Sequence, residues 1–137
     1  MATPIVEHFT VVSAASTPGL SIDATVPDDV VAGDLLLLIL VSDYFVTTDD
    51  DYFNAISGWE KVDESLTGDR NGARVAVYWK EAAGGEGNQA FTFVANADVG
   101  AWYLRISGAD TTTPINAELF SGVITPASSH AIGEVTT

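Results

Sequence analysis

The chain has 137 residues, 47% of them hydrophobic, which is enough for one domain with a substantial core. Nineteen acidic residues against five basic ones give a formal net charge of −14. This charge excludes a nucleic-acid binder that works by neutralising phosphates, and it disfavours binding to anionic membranes. The absence of cysteine excludes disulfides and thiolate chemistry.

Alternation of apolar and polar residues, interrupted by glycine, proline and asparagine, predicts a series of short strands. In chain order they are expected at residues 5–12, 20–26, 35–41, 59–66, 74–80, 91–93 and 101–107. The run 35–41 is apolar throughout and follows a Gly-Asp turn, so it predicts a central strand buried on both faces. It is too short to cross a bilayer as a helix. The pattern is weak over 115–123, and a last strand is expected at 131–137.

Three of these strands concentrate apolar side chains on one face. In chain order, these side chains are Phe9 and Val11, then Val75, Val77 and Trp79, then Trp102, Leu104 and Ile106. Arg74, Lys80 and Arg105 lie on the opposite faces, so we expect them to point outward and to pair with neighbouring acids. Trp59 is expected to anchor the edge of the core.

The series of strands predicts an all-β fold, an antiparallel β-sandwich. No helical period extends beyond a turn or two, and neither an internal repeat nor a linker divides the chain. We therefore expect a single domain over residues 1–137. Residues 1–4 lack the basic and apolar regions of a signal peptide, so synthesis in the cytoplasm is expected.

An acidic and aromatic segment, residues 43–57, shows no regular period and predicts a long loop, a common place for function. Exposed aromatic groups are costly in water and often anchor interfaces. Tyr44, Phe45, Tyr52 and Phe53 are therefore candidate partner-binding residues. The alternative is that these side chains pack back onto the sandwich.

The same segment contains three consecutive acids, Asp49, Asp50 and Asp51, whose clustered oxygens are a candidate calcium site. The glycine and distal glutamate of an EF-hand are absent, and a solvated acidic loop is the simpler interpretation. The two histidines, His8 and His130, have no metal-binding spacing. We therefore predict neither a metal nor a cofactor.

Catalytic signatures are not found in the sequence. It contains no nucleophile elbow, phosphate-binding loop or dinucleotide fingerprint. Glu60, Asp63 and Glu64 are candidates for a glycosidase-like carboxyl pair, but the sequence does not give the separation on which such a pair depends. We expect a protein that is not an enzyme.

An ordered series of motifs runs from about residue 20 to residue 118. The motifs are Ala32-Gly33-Asp34-Leu35-Leu36-Leu37, Gly58-Trp59-Glu60-Lys61-Val62, Arg74-Val75-Ala76-Val77-Tyr78-Trp79-Lys80, Phe91-Thr92-Phe93, Ile106-Ser107-Gly108-Ala109-Asp110-Thr111 and Pro114-Ile115. The series resembles a jelly-roll-type β-sandwich module found in structural proteins of tailed bacteriophages, on heads and on tail appendages. Such modules usually continue past a Thr-rich strand like residues 133–137. Either the last strand is absent here, or the protein continues beyond Thr137.

The resemblance implies a non-enzymatic virion structural protein, specifically a capsid decoration (cement) protein that stabilises the head. Its partner would be the major capsid protein, with no nucleic acid and no membrane involved. It would lie on the virion surface after synthesis in the host cytoplasm. If the last strand is absent, a sheet edge is open, and an open edge favours a homo-oligomer, a trimer being one arrangement, or a docked partner. The alternative that the resemblance leaves open is a receptor- or glycan-binding module of a tail appendage.

Overall fold

The structure is a computed structural model, and the part of the chain that it describes contains seven antiparallel strands. The described residues are 3–14, 21–43, 52–66, 74–95 and 97–114. The strands are β1 (Ile5–Ala14), β2 (Ile22–Ala24), β3 (Leu35–Ser42), β4 (Glu60–Leu66), β5 (Arg74–Glu81), β6 (Gln89–Phe91) and β7 (Val99–Ser107). The strands predicted at 115–123 and 131–137 lie outside these residues. Within the described ranges no helix is long and apolar enough to span a membrane.

The strands form a five-stranded sheet in the order β1-β7-β3-β5-β4 and a two-stranded sheet of β2 and β6. Every pairing is antiparallel. The small sheet packs on one face of the large sheet, so the all-β, antiparallel and sandwich-like prediction is confirmed. The strand expected at 91–93 lies two residues earlier because Phe91 pairs with Ile22, whereas Phe93 forms an isolated bridge to Phe53.

The apolar strand β3 is central, as predicted, and pairs with β7 and β5 along its whole length. A tight turn begins it. Gly33 adopts a positive φ of 89°, and the Asp34 carboxylate accepts the backbone N–H of Val31 at 3.0 Å. Positive φ favours glycine, which has no Cβ to clash. The Arg105 side chain on β7 donates to the same carboxylate at 2.6 Å, which ties the turn to the sheet.

The two faces of β3 are buried to different extents. Leu36, Leu38 and Leu40 are 0% exposed and point to what we call the inner face of the large sheet. Alternation along the strand places Leu37 and Ile39 on the opposite face, and these side chains are only half-buried. Leu35, the first residue of the strand, shares that face and is only 4% exposed. The predicted burial on both faces is therefore complete along the inner face, and on the opposite face only at Leu35.

A second layer covers the inner face. It consists of β2, β6 with the residues that follow it to Phe93, and the segment 52–59. These parts contribute Ile22, Ala24, Phe91, Phe93, Tyr52, Phe53, Ile56 and Trp59 to the core. Trp59 lies at the core edge as predicted, and its Nε1 donates to Gln89 Oε1 at 2.7 Å. Its ring packs edge-on against Tyr103 at a centroid distance of 5.5 Å.

The basic side chains pair with acids, as the sequence predicts, but the strand register places all three on the inner face. Arg74 pairs with Ser42 on β3, and Lys80 and Arg105 both pair with Leu36. Lys80 pairs with Glu86, and Arg105 pairs with Asp34. Arg74 is only 4% exposed and its Nη1 lies 3.3 Å from the Glu64 carboxylate. The prediction that the three basic side chains face outward is therefore wrong, because their acidic partners Glu64, Glu86 and Asp34 lie on the inner side of the sheet.

Tyr103 makes the folded state less stable as the pH rises into the alkaline range. This residue is 1% exposed, and burial raises the pKa of Tyr103 to about 12, with the charge of Glu86 adding to the effect. An unfolded tyrosine ionises near pH 10, so between about pH 10 and 12 the unfolded chain loses a proton that the folded chain keeps. The contribution of Tyr103 to stability is therefore complete below pH 10 and falls by on the order of 1 kcal/mol per pH unit above it.

Urea unfolding of the wild type and Tyr103→Phe at about pH 9 and about pH 11 measures this dependence. The wild type is expected to lose more stability between the two pH values than the variant does. The other ionisable groups are common to both proteins, so the difference isolates Tyr103. Equal losses would contradict the assignment.

Candidate functional site

The second face of the five-stranded sheet, which we call the outer face, is apolar across four adjacent strands. Strand register aligns its side chains in rows that cross β1, β7, β3 and β5. One row is Val11, Trp102, Ile39 and Val77, and the next row is Phe9, Leu104, Leu37 and Trp79. Both rows are free of charge over the four strands.

Several outer-face side chains are well exposed to solvent. Phe9 is 57% exposed, Val11 is 55% exposed and Trp102 is 37% exposed. Four strands about 4.8 Å apart, over about seven residues of about 3.3 Å each, make a face of roughly 450 Å². Exposed apolar patches of this size are often interaction sites, and an antiparallel sheet with one solvated face usually presents polar residues there. The outer face is therefore the candidate functional site.

Acidic residues border the outer face at the β4 side. The two rows continue onto β4 at Asp63, which pairs with Val77, and at Glu60, which pairs with Trp79. Glu81 is exposed at the end of β5. The site thus has an uncharged centre and an anionic border, a distribution suited to a partner surface that is apolar with basic residues at its margin.

A hollow of about 450 Å³ lies at one end of the outer face. Gly100 on β7 pairs with Ser13 on β1 and Val41 on β3, and because it has no side chain the face is depressed there. A Cβ at Gly100 would lie 3.2 Å from Val41 Cγ2. Trp102 lines the hollow on the apolar side and Asp98 on the polar side. The combination of an indole and a carboxylate suits a flat ring with polar substituents.

Two of the four predicted partner-binding residues lie in the core. Tyr52 and Phe53 are both 0% exposed, so they pack onto the sandwich, which is the alternative that the sequence left open. The Tyr52 ring stacks on Phe93 at 5.7 Å between centroids. Tyr44 and Phe45 lie outside the described residues and stay predicted contact residues. The candidate calcium ligands Asp49, Asp50 and Asp51 also lie outside them.

A buried carboxylate explains why Tyr52 and Phe53 turn inward. Glu64 accepts the backbone N–H of Tyr52 at 2.7 Å and contacts the N–H of Phe53 at 3.4 Å. Lys61 Nζ lies 2.5 Å from the same carboxylate, and Arg74 approaches it from β5. Glu64 was considered in the sequence as one member of a glycosidase-like pair, and its geometry here is that of a structural anchor.

The structure describes one of the two histidines that the sequence analysis considered. His8 Nδ1 accepts the backbone N–H of Asp28 at 3.1 Å, and His130 lies outside the described residues. Among residues that the structure describes, no group of three or more His, Asp or Glu side chains is placed to hold a metal ion.

The sequence contained the signal for the outer face, but its interpretation was incomplete. Phe9, Val11 and Trp102 were recognised as members of apolar faces. When one face of a strand is apolar, that face is ordinarily assigned to the core. The pattern of a single strand does not show that the neighbouring strands also place apolar side chains on the face away from the core. The register of the sheet is required to align them.

Comparisons with protein-family models, curated proteins and solved structures found no match to this chain. The fold and the candidate site define the class of protein: an all-β, sandwich-like protein with an exposed apolar sheet face.

Proposed function

We propose that this chain is a non-enzymatic structural protein of a bacteriophage virion, a capsid decoration (cement) protein that binds the major capsid protein through the outer face. The observation that carries the proposal is the outer face itself, with Phe9, Val11 and Trp102 exposed on an uncharged surface. Burying such a surface against a shell would supply the main favourable free energy of docking. The motif series that resembles jelly-roll modules of phage structural proteins supplies the virion context.

Charge supports an assembly role of this kind. A formal net charge of −14 favours solubility, and it complements basic patches on a shell. The acidic border at Glu60 and Asp63 places part of this charge beside the apolar surface. Many weak contacts repeated over a shell add up through multivalency, so each copy needs only a modest affinity.

Trp102→Lys tests the proposed docking surface. The substitution places a charge in the centre of the outer face at a partly exposed position, so the fold is expected to survive while shell binding is lost. Val94→Lys is the matched control, because Val94 is 58% exposed and its backbone N–H donates to the carbonyl oxygen of Tyr52, in the layer that covers the inner face. Both proteins are mixed with heads of the phage that encodes the chain, and the bound fraction is measured by co-sedimentation.

The expected result is strong loss of binding for Trp102→Lys and wild-type binding for Val94→Lys. Wild-type binding of both variants would reject the outer face as the docking surface. The number of copies per virion tests the location separately. Hundreds of copies on the head support decoration, whereas a handful of copies would reject it.

The second candidate function is a receptor- or glycan-binding module of a tail appendage, and the hollow at Gly100 favours it. Sugar rings stack on indoles, and carboxylates accept hydrogen bonds from sugar hydroxyls, as Trp102 and Asp98 would allow. Titration of a glycan panel with tryptophan fluorescence tests this function. A saturable change that Trp102→Phe abolishes supports it, and no change with any glycan argues against it.

A further inference from the structure

The two edge strands of the five-stranded sheet differ in how they are protected. Edge strands present unpaired backbone N–H and C=O groups, and proteins usually blunt them with charges and bulges. β4 carries both devices, with four charged residues, Glu60, Lys61, Asp63 and Glu64, and a register shift between Lys61 and Asp63. β1 is ten residues long, and its one acid, Glu7, occupies a bulge between Val6 and His8.

The regular part of β1 is suited to pairing. No described strand pairs with the edge of β1 that faces away from β7. From His8 to Ala14 the strand is in continuous register with β7 and contains no carboxylate. Phe9 and Val11 project from this stretch and are more than half exposed. The Asp28 carboxylate lies 3.6 Å from His8 Nε2 at the start of the stretch, but the strand itself supplies no Lys, Arg or carboxylate there. A long, regular edge without such side chains is the kind of edge that other strands pair with.

We propose that β1 pairs antiparallel with β1 of a second copy of this chain, about a two-fold axis at Thr10, so that the two five-stranded sheets become one continuous sheet. Self-pairing of one strand is an isologous contact, which closes as a dimer and leaves no free site for a third copy. The proposal concerns the free protein in solution and does not depend on the proposed function.

The register follows from side-chain chemistry. Centring on Thr10 places Phe9 opposite Val11 of the second copy, and Val11 opposite its Phe9, so two aromatic–β-branched pairs form on the outer face. The pairs then run from His8 to Val12 within the regular stretch. Centring on Phe9 instead would oppose Val11 to Glu7, whose bulge interrupts the ladder. The Thr10-centred register also keeps like charges from facing each other.

The dimer would enlarge the candidate docking surface, and this step rests on the proposed function. A two-fold axis perpendicular to the sheet places both outer faces on the same side. Two faces of roughly 450 Å² then make about 900 Å², whereas a stable specific interface buries about 800 Å² on each partner. A single face is smaller than this value, and the joined faces reach it.

Sedimentation velocity on three proteins tests the edge pairing. The wild type is expected to be a dimer, and Val11→Lys, which places a charge at the edge, is expected to be a monomer. Trp102→Lys is the matched control because Trp102 lies directly across from Val11 on the same face but on an interior strand, so it is expected to remain a dimer. A monomeric or trimeric wild type would overturn the proposal. The proposal would also be overturned if Trp102→Lys were a monomer and Val11→Lys a dimer. That result would indicate a dimer formed by stacking of the two outer faces.

Cross-linking provides a second test that does not depend on the folding of a lysine variant. The chain has no cysteine, so a single introduced thiol reports one contact. Opposed residues of an antiparallel pair have Cα atoms about 4.5–5.5 Å apart, within the range that a disulfide spans. Thr10→Cys is expected to form a covalent dimer on mild oxidation, and Trp102→Cys is expected to stay monomeric on a denaturing gel. The reverse pattern would overturn the proposal.

Discussion

Glu64→Gln is expected to lower the free energy of unfolding by about 3 kcal/mol or more, because it removes the charge of a buried carboxylate that faces two cations. The Glu64 side chain is only 3% exposed, and it lies between Lys61 and Arg74. An exposed ion pair contributes little to stability. Removing one partner of a buried pair costs more, because the remaining charge stays in a low-dielectric environment without an opposite charge to compensate it. The amide oxygen of glutamine can still accept the Tyr52 N–H, so the loss reports mainly the charge.

Urea unfolding measures this effect, with Glu60→Gln as the control on the same strand. Glu60 is exposed, so its substitution is expected to change stability by less than about 0.5 kcal/mol. A Glu64→Gln protein as stable as the Glu60→Gln protein would show that the charge of Glu64 does not stabilise the fold through Lys61 and Arg74. The expected large difference would establish that the buried ion pairs of Glu64 with Lys61 and Arg74 stabilise the protein.

Leu38→Ala is expected to cost about 2–5 kcal/mol, since Leu38 is 0% exposed and the truncation leaves a cavity at the inner face. Leu37 is the next residue on the same strand and points to the outer face, where it is half-buried. Leu37→Ala removes the same atoms from a surface that is partly wet already, so its cost is expected to be about 1 kcal/mol. The pair therefore compares the two faces of β3 with identical chemistry.

Unfolding midpoints of the free proteins give both costs. Equal costs for Leu37→Ala and Leu38→Ala would contradict the outer face as an exposed surface, because they would require Leu37 to be covered as fully as Leu38. Under the proposed function, Leu37→Ala also weakens binding to phage heads, while its effect on the free protein stays small.

The prediction of strands succeeded where a local pattern was sufficient. The apolar run at 35–41 forms the central strand β3, and the Gly33–Asp34 turn starts it. The alternation around Val77 produced β5 at almost its predicted bounds. Pattern and turn chemistry act over a few residues, so the sequence shows them directly.

The local pattern did not determine which face of each strand points to the core. On β5 the valines at 75 and 77 are the more hydrophobic side chains, yet Ala76 and Tyr78 are buried at 0% exposure and the valines face outward. Tyr78 is accommodated because its hydroxyl lies 3.4 Å from the carbonyl oxygen of Phe53, which the second layer supplies. A buried hydroxyl needs such a partner, and the partner is 25 residues away in the chain.

By itself, the sequence determined that this protein is built from short antiparallel strands around one apolar strand, and that its surface is strongly acidic. Only the tertiary structure decided which side of the sheet became the core and which became the outer face. The physical reason is that a strand with two apolar faces satisfies local preference in either orientation. The choice depends on partners distant in sequence, such as the Glu64 carboxylate that turns Tyr52 and Phe53 inward.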